Sequence, residues 1–325
     1  LKNLNVLTTR LFPKNMGADA YVLTGVAARC DWIVFTDKNR PDTHLHKTDP
    51  TPHPKHIFLS MREPFLAIRY FSEHVLPTLS RPFVLITGSE DITVPNQTDQ
   101  RWRRFDAAER ALIQQLLNHP LLVHWFAENL DDDSHPRLSP LPLGMVFPQG
   151  HPKEGVTVGK VPPLAQRPLH VLCGHRIRTG PQWELRKTVS GFAKTSWSEW
   201  CTHLDEDVSE KTYMDLVESH AFVICAEGGG LDPSPKAWQV ILHGAIPIMR
   251  RTPTTAAYAS LPVAYVTDWV PEALTQKRLQ DWHASFSPAH DIPEQRKAIV
   301  RKLGIDFWWD KISAAVAFAT TQSRQ

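Results

Sequence analysis

Residues 222–248 read FVICAEGGGLDPSPKAWQVILHGAIPI. An apolar run of strand character enters Glu227 and three glycines. Asp232 and two prolines flanking Ser234 follow, then a helical stretch from about Pro235 to His243, and the apolar run Ala245 to Met249. Strand, glycine loop, helix and strand in that order make a βαβ unit, which builds a parallel sheet. Glycines let backbone approach a ligand closely, and a helix N-terminus offers unpaired amides and a positive dipole end. Lys236 adds a full charge there, so the segment suits a diphosphate.

Working outward, the same alternation recurs on both sides. Ala28 to Thr36, His56 to Met61, Phe83 to Thr87 and Leu121 to Phe126 have strand character, with helices expected at Pro64 to Leu79 and Arg104 to Leu117. A second series holds strands at Leu169 to Cys173, Ala221 to Ala226, Ala245 to Met249 and Pro262 to Val266. Its helices are expected at Pro181 to Phe192, Ser209 to Ser219, Pro235 to His243 and Thr254 to Ala259, with two more from about Glu272 and Pro293. The predicted fold is α/β, two Rossmann-like domains facing across a cleft. Residues 1–150 form the first, 151–168 a Pro- and Gly-containing linker and 169–290 the second, while 291–325 is a C-terminal helix packing across the junction through Phe307, Trp308 and Trp309. Ligands of such sheets bind beyond the carboxyl ends of the strands.

Composition narrows the function. The 325 residues are 42% hydrophobic and 22% charged, enough to fill two cores. Thirty-six Lys and Arg against 34 Asp and Glu leave a net charge of +2, which does not favour a nucleic-acid partner. The expectation is a cytoplasmic chain with no membrane span whose start at Leu1 leaves room for residues or a domain upstream. Cys30, Cys173, Cys201 and Cys225 form no CxxC pair and read as buried thiols. His44, His46, His53 and His56 lack the company of a zinc site. Neither a GxSxG elbow nor a GxxxxGK[ST] loop occurs.

The 222–248 segment resembles the donor-binding half of exostosin-like glycosyltransferases: a strand, a G-x-G-[LI]-D loop, an R-x-x-E-A-L helix and a G-x-[IV]-P-[IV] strand. Gly228, Gly230, Leu231 and Asp232 match the loop, and Gly244, Ile246, Pro247 and Ile248 the last strand. Tyr258, Leu261, Pro262, Val263, Asp268 and Trp269 follow the Y-x-x-L-P-V…D-W run, so the resemblance covers roughly 169–270. Lys236 stands one residue late for the family's Arg, and Gln239 replaces its Glu, an amide where a carboxylate usually holds ribose hydroxyls.

The resemblance implies a GT-B-type transferase moving a sugar from a nucleotide sugar, UDP-sugar favoured, to a hydroxyl of a glycan acceptor. It implies inversion without a resident cofactor or metal. Donor-binding candidates are Glu227, Gly228, Gly229, Gly230, Asp232, Ser234, Lys236 and Gln239, joined by Arg176, Arg178 and Lys187 after the strand ending at Cys173. The general base is sought at the end of the strand Phe83 to Thr87, where Glu90 and Asp91 stand, with Asp91 preferred. Glu128 and Asn129, after the strand Leu121 to Phe126, are the acceptor-binding candidates. The acidic runs Asp131–Asp133 and Asp205–Asp207 do not directly follow strands, so they read as solvated turns. Two alternatives stand beside it: a nucleotide-sugar-binding protein of the same fold without turnover, and a nucleotide-sugar epimerase or hydrolase.

Overall fold

The computed structural model describes residues 3–11, 23–37, 40–147, 152 and 154–322; residues 148–150 at the expected end of the first domain, and 151 and 153 of the expected linker, lie outside them. The first sheet comprises β1 (Trp32–Asp37), β2 (Arg40–Lys47), β3 (His56–Ser60), β4 (Phe83–Gly88), β5 (Leu122–Ala127) and β6 (Leu138–Pro140). Its spatial order is β2-β1-β3-β4-β5-β6, antiparallel only at β1–β2. Every residue of β4 is buried, as a continuous apolar run at the centre of a parallel sheet should be. Between β3 and β4 runs α1 (Pro64–Tyr70), and between β4 and β5 runs α2 (Ala107–Leu117). The expected helix 64–79 instead loosens after Tyr70 into a π turn and then a 3-10 turn containing Pro77, whose missing N–H cannot continue the α ladder. A capping box between Asp106 and Glu109 fixes the start of α2 at Ala107, three residues inside the expected bound.

The second sheet comprises β7 (Val171–Cys173), β8 (Cys201–His203), β9 (Phe222–Ile224), β10 (Ile246–Arg250) and β11 (Ala264–Val266), in the order β11-β10-β9-β7-β8. All its pairs are parallel. Around it lie α3 (Glu184–Lys194), α4 (Glu210–Ser219), α5 (Lys236–Leu242) and α6 (Gln276–Asp291). The chain leaves β7 in one direction to β8 and returns to its other side at β9, so the strand order reverses between β7 and β9. Open α/β sheets bind ligands outside the carboxyl ends at such a reversal. By contrast, the strands of the first sheet follow chain order from β1 through β6, the β2 edge aside, and show no reversal.

Side-chain alternation divides the cores. Val34, Leu59, Leu85 and Trp125 join α1 and α2, whereas Ile33, Phe58, Val84, Ile86 and Phe126 face a cluster shared with the second domain. Into that cluster come Ile299 and Val300 of α7 (Pro293–Lys302) and Trp308 and Ile312 of α8 (Ile305–Gln322). Trp308 packs against Trp238 of α5 and Trp309 against His56 of β3, with ring centroids 6.4 and 4.8 Å apart. The start of the chain also crosses the junction: Leu4 bonds Val156, Leu7 bonds Leu303 and Met145, and Thr9 bonds Leu143. All four cysteines are buried and free.

Candidate active site

The loops that follow the carboxyl ends of the two sheets meet at the three glycines. A Cβ on Gly228 would lie 2.8 Å from the Arg186 guanidinium, and one on Gly230 2.7 Å from the carbonyl of Asp91; one on Gly229 would overlap the Asp91 carboxylate. At Gly230, where backbone stands in the way, glycine is required by close approach of protein to protein, whereas at Gly228 and Gly229 the atoms met are the ends of the Arg186 and Asp91 side chains. The helix behind them is shorter than its sequence suggested. α5 begins at Lys236, spans 7 residues and has no side-chain cap, with Pro235 at its N-cap.

Two carboxyl-end residues of the first domain hold the left-handed backbone that non-glycines seldom adopt: Ser89 at φ 78° and Asn129 at φ 55°. Such strain persists only where surrounding bonds over-determine it, and it concentrates at functional sites. Asn129 Oδ1 accepts from Leu231 N–H at 2.9 Å and Asp232 N–H at 2.8 Å, and its Nδ2 donates to the Glu90 carbonyl at 3.0 Å. Asn129 thus joins the glycine loop to the Glu90–Asp91 turn, and both lone pairs of its amide oxygen are taken. Asp232 completes the seam. It accepts from Leu143 N–H at 2.6 Å, Ser234 N–H at 2.8 Å and the Tyr258 hydroxyl at 2.6 Å. Ser234 is bonded in turn to Tyr258. With these partners, Asn129, Asp232 and Ser234 bind protein at the places where the sequence reading had them bind acceptor or donor.

Asp91 is partly exposed beside the glycine loop and ion-paired with Arg101. Glu90 is buried, accepts from Asp91 N–H at 2.9 Å and lies 3.6 Å from the same guanidinium. Glu128 is only 3% exposed, and burial, opposed by nearby Arg10, pushes its carboxyl up to about 8. Its native form holds a proton that the unfolded chain has lost above its ordinary value of 4.5. This group's contribution to stability is full below that value and is lost as pH rises through about 8. Urea unfolding from pH 5 to 8.5 should show that decline, and Glu128→Gln, which cannot titrate, should flatten it. Equal slopes in the two proteins would refute the assignment.

On the second domain, Glu227 takes Arg250 Nε at 2.6 Å and Trp269 Nε1 at 3.0 Å, so its carboxylate is held by side chains of its own domain. Lys236 donates to the Gly174 carbonyl at 2.7 Å, and burial lowers its ammonium to about 8. The lysine ties the start of α5 to the loop after β7. Arg186 donates to the carbonyls of Ala226, Glu227 and Arg176, packs on the Trp183 ring at 4.9 Å and feels the field of Asp91 across the loop. Arg178 lies 5.7 Å from the same ring. Farther out, Arg176 pairs with Asp207 at 3.1 Å and Lys187 with Glu184 at 2.6 Å, both pairs on exposed surface. Gln239 is half-buried on the second turn of α5.

The site therefore gathers Glu90, Asp91, Glu128, Asn129, Gly228 to Gly230, Asp232, Ser234 and Lys236, and leaves Lys187 at its margin. Arg186, read from the sequence as part of the basic site after β7, belongs to it too, and Arg10, Thr9, Ser89, Arg101, Arg250 and Tyr258 join it without having been singled out as binding or catalytic candidates. Their partners are 23 to 119 residues away in most cases, and no local pattern marks such pairings. The acidic runs are occupied elsewhere. Asp131 accepts from the amides of Asn96 and Thr98, and Asp205 pairs with Lys194. Among the described residues, no helix is long and apolar enough to cross a membrane.

No family model matches the chain, and no curated protein matches it in sequence. Among solved structures, the crystal structure of TarM aligns over 80% of this chain at 8% identity with a TM-score of 0.43; the chain spans 54% of TarM's length. Spinosyn rhamnosyltransferase SpnG complexed with thymidine diphosphate aligns over 83% of this chain and 73% of its own, at 15% identity and a TM-score of 0.32. For the α,α-trehalose 6-phosphate synthase of Burkholderia multivorans the figures are 84%, 73%, 11% and 0.36. At such distance the description of the fold rests on the two sheets themselves.

Proposed function

We propose that this protein is a GT-B-type glycosyltransferase that moves a sugar from a nucleotide sugar, with UDP favoured, onto a hydroxyl of a glycan acceptor, inverting the anomeric centre without a metal. The observation that supports it best is the meeting of unlike chemistries at the glycine loop. A basic pair, Arg186 and Arg178, shares the Trp183 ring, and its Arg186 feels the field of Asp91 in the Glu90–Asp91–Arg101 group after β4. The first suits a diphosphate, because guanidinium forks match phosphate oxygens. The second supplies a carboxylate whose orientation Arg101 fixes.

In this reading Asp91 takes the proton of the acceptor hydroxyl as its oxygen attacks the anomeric carbon from the face opposite the leaving group. The bond from that carbon to the phosphate oxygen breaks, and its electron pair leaves with the nucleoside diphosphate. The arginines and the amides about the glycine loop offset the charge that develops there. Binding without turnover is the second reading, favoured by Gln239, which gives a donor's diol hydrogen bonds without a carboxylate's charge assistance.

Calorimetry with UDP, TDP, GDP and ADP tests the donor half. Saturable binding of at least one is expected, weakened by about 1.5 to 3 kcal/mol in Arg178→Ala, the range for a hydrogen bond to a charged group. Absence of binding by all four, or an unchanged affinity in the variant, would count against the placement.

A further inference from the structure

Ser89, directly before the Glu90–Asp91 pair, is gripped at each of its polar atoms. Its N–H donates to Glu128 Oε2 at 2.8 Å, its hydroxyl oxygen accepts from Leu11 N–H at 3.1 Å, and its carbonyl accepts from Arg10 at 3.0 Å. The grip is braced from behind, since Thr9 donates to the same Oε2 at 2.5 Å. Gly88 leaves room for it: a Cβ there would stand 2.9 Å from Oε2. Two remote pieces of chain, residues 9–11 and Glu128, thus converge on one residue in a left-handed conformation, which costs a non-glycine roughly 1–2 kcal/mol. A serine needing so much support is over-specified for a turn that only links β4 to the next segment.

We infer that Glu128 is a positioning residue: with Arg10 and the amide of Leu11 it locks Ser89 in the left-handed conformation and so aims Asp91 at the glycine loop. This assigns Glu128 a role other than acceptor binding, and it rests on the reading of Asp91 as base. The groups facing the Glu128 carboxyl are Thr9 and Arg10 from the N-terminal segment, Ser89 from the β4 loop and Asp232 from the second domain. Among the described residues Glu128 Oε1 has no hydrogen-bond partner. A glutamine therefore fits, with its carbonyl taking the place of Oε2 and its amide nitrogen that of Oε1. An alanine leaves Thr9 and Ser89 N–H without an acceptor.

The test compares Glu128→Ala, Glu128→Gln and Arg10→Ala by hydrogen exchange of the amides of residues 89–91 and by sugar-transfer kinetics. Glu128→Ala should speed exchange at those amides at least about tenfold while α5 stays as protected as before. It should also lower kcat by about 10- to 100-fold at unchanged donor KM, as misplacement of a catalytic group by about an ångström does. Glu128→Gln should restore both readouts. Arg10→Ala, which removes a different arm of the grip, should speed the same amides even if Glu128→Ala fails to fold. Unchanged exchange at 89–91 in Arg10→Ala and in whichever Glu128→Ala folds would overturn the lock. So would a donor KM that rises with no change in kcat. If the wild-type protein transfers no sugar, the functional reading fails, and exchange alone decides the lock.

Discussion

Asp91→Asn is expected to lower turnover by about 10²- to 10⁴-fold while leaving nucleotide affinity nearly intact, the range for loss of a positioned general base. The substitution keeps the size of the side chain and an oxygen for Arg101, so its packing against Gly229 should survive. Glu90→Gln is the control, because Glu90 is buried and its Oε1 is engaged by the Asp91 amide. A fully active Asp91→Asn beside an inactive Glu90→Gln would move the base to the neighbouring residue. Two active variants would remove the base from this loop altogether.

Asn129→Ala should cost about 2–4 kcal/mol of stability. Two amides of the second domain, on Leu231 and Asp232, lose their acceptor, and an unsatisfied buried donor costs about 1–3 kcal/mol. Alanine must also accept the left-handed backbone at that position. Asn129→Gly separates the two contributions, since glycine keeps the conformation freely and loses only the bonds. Urea unfolding of the three proteins should rank them wild type, glycine, alanine. Equal midpoints would mean that the two domains are held together elsewhere, through the cluster around Trp308 and Trp238.

Much of the fold was legible because its signals are local. The apolar runs of β4 and β9 and the helical spacing of α2 need no distant partner to be recognised. What escaped were β2, eight residues rich in His and polar side chains at an antiparallel edge, and the short strands β6 and β8 of three residues each. Their pairing is set by the neighbouring strand rather than by their own composition.

The candidate site divides in the same way. Gly228 to Gly230 announce a close approach, but sequence cannot say to what, and the structure sets Asp91, Asn129 and Arg186 against them. Lys236 reads as a phosphate ligand, and sequence could not show that the Gly174 carbonyl also takes its ammonium. Asp232 likewise reads as part of a donor loop, yet its bonds to Leu143 and Tyr258 stitch the loop to its surroundings. Residues that serve the junction and residues that serve a ligand are the same chemical types, and only their partners tell them apart.

The most direct measurement is NMR of the sugar product formed from a panel of nucleotide sugars and glycan acceptors in excess EDTA, with Asp91→Asn run alongside. The account predicts a new glycosidic linkage whose anomeric configuration is opposite to the donor's, formed without divalent metal and suppressed in the variant. A product that retains the donor's configuration, transfer restored only by manganese or magnesium, or release of free sugar or epimerised donor with no acceptor product would contradict it.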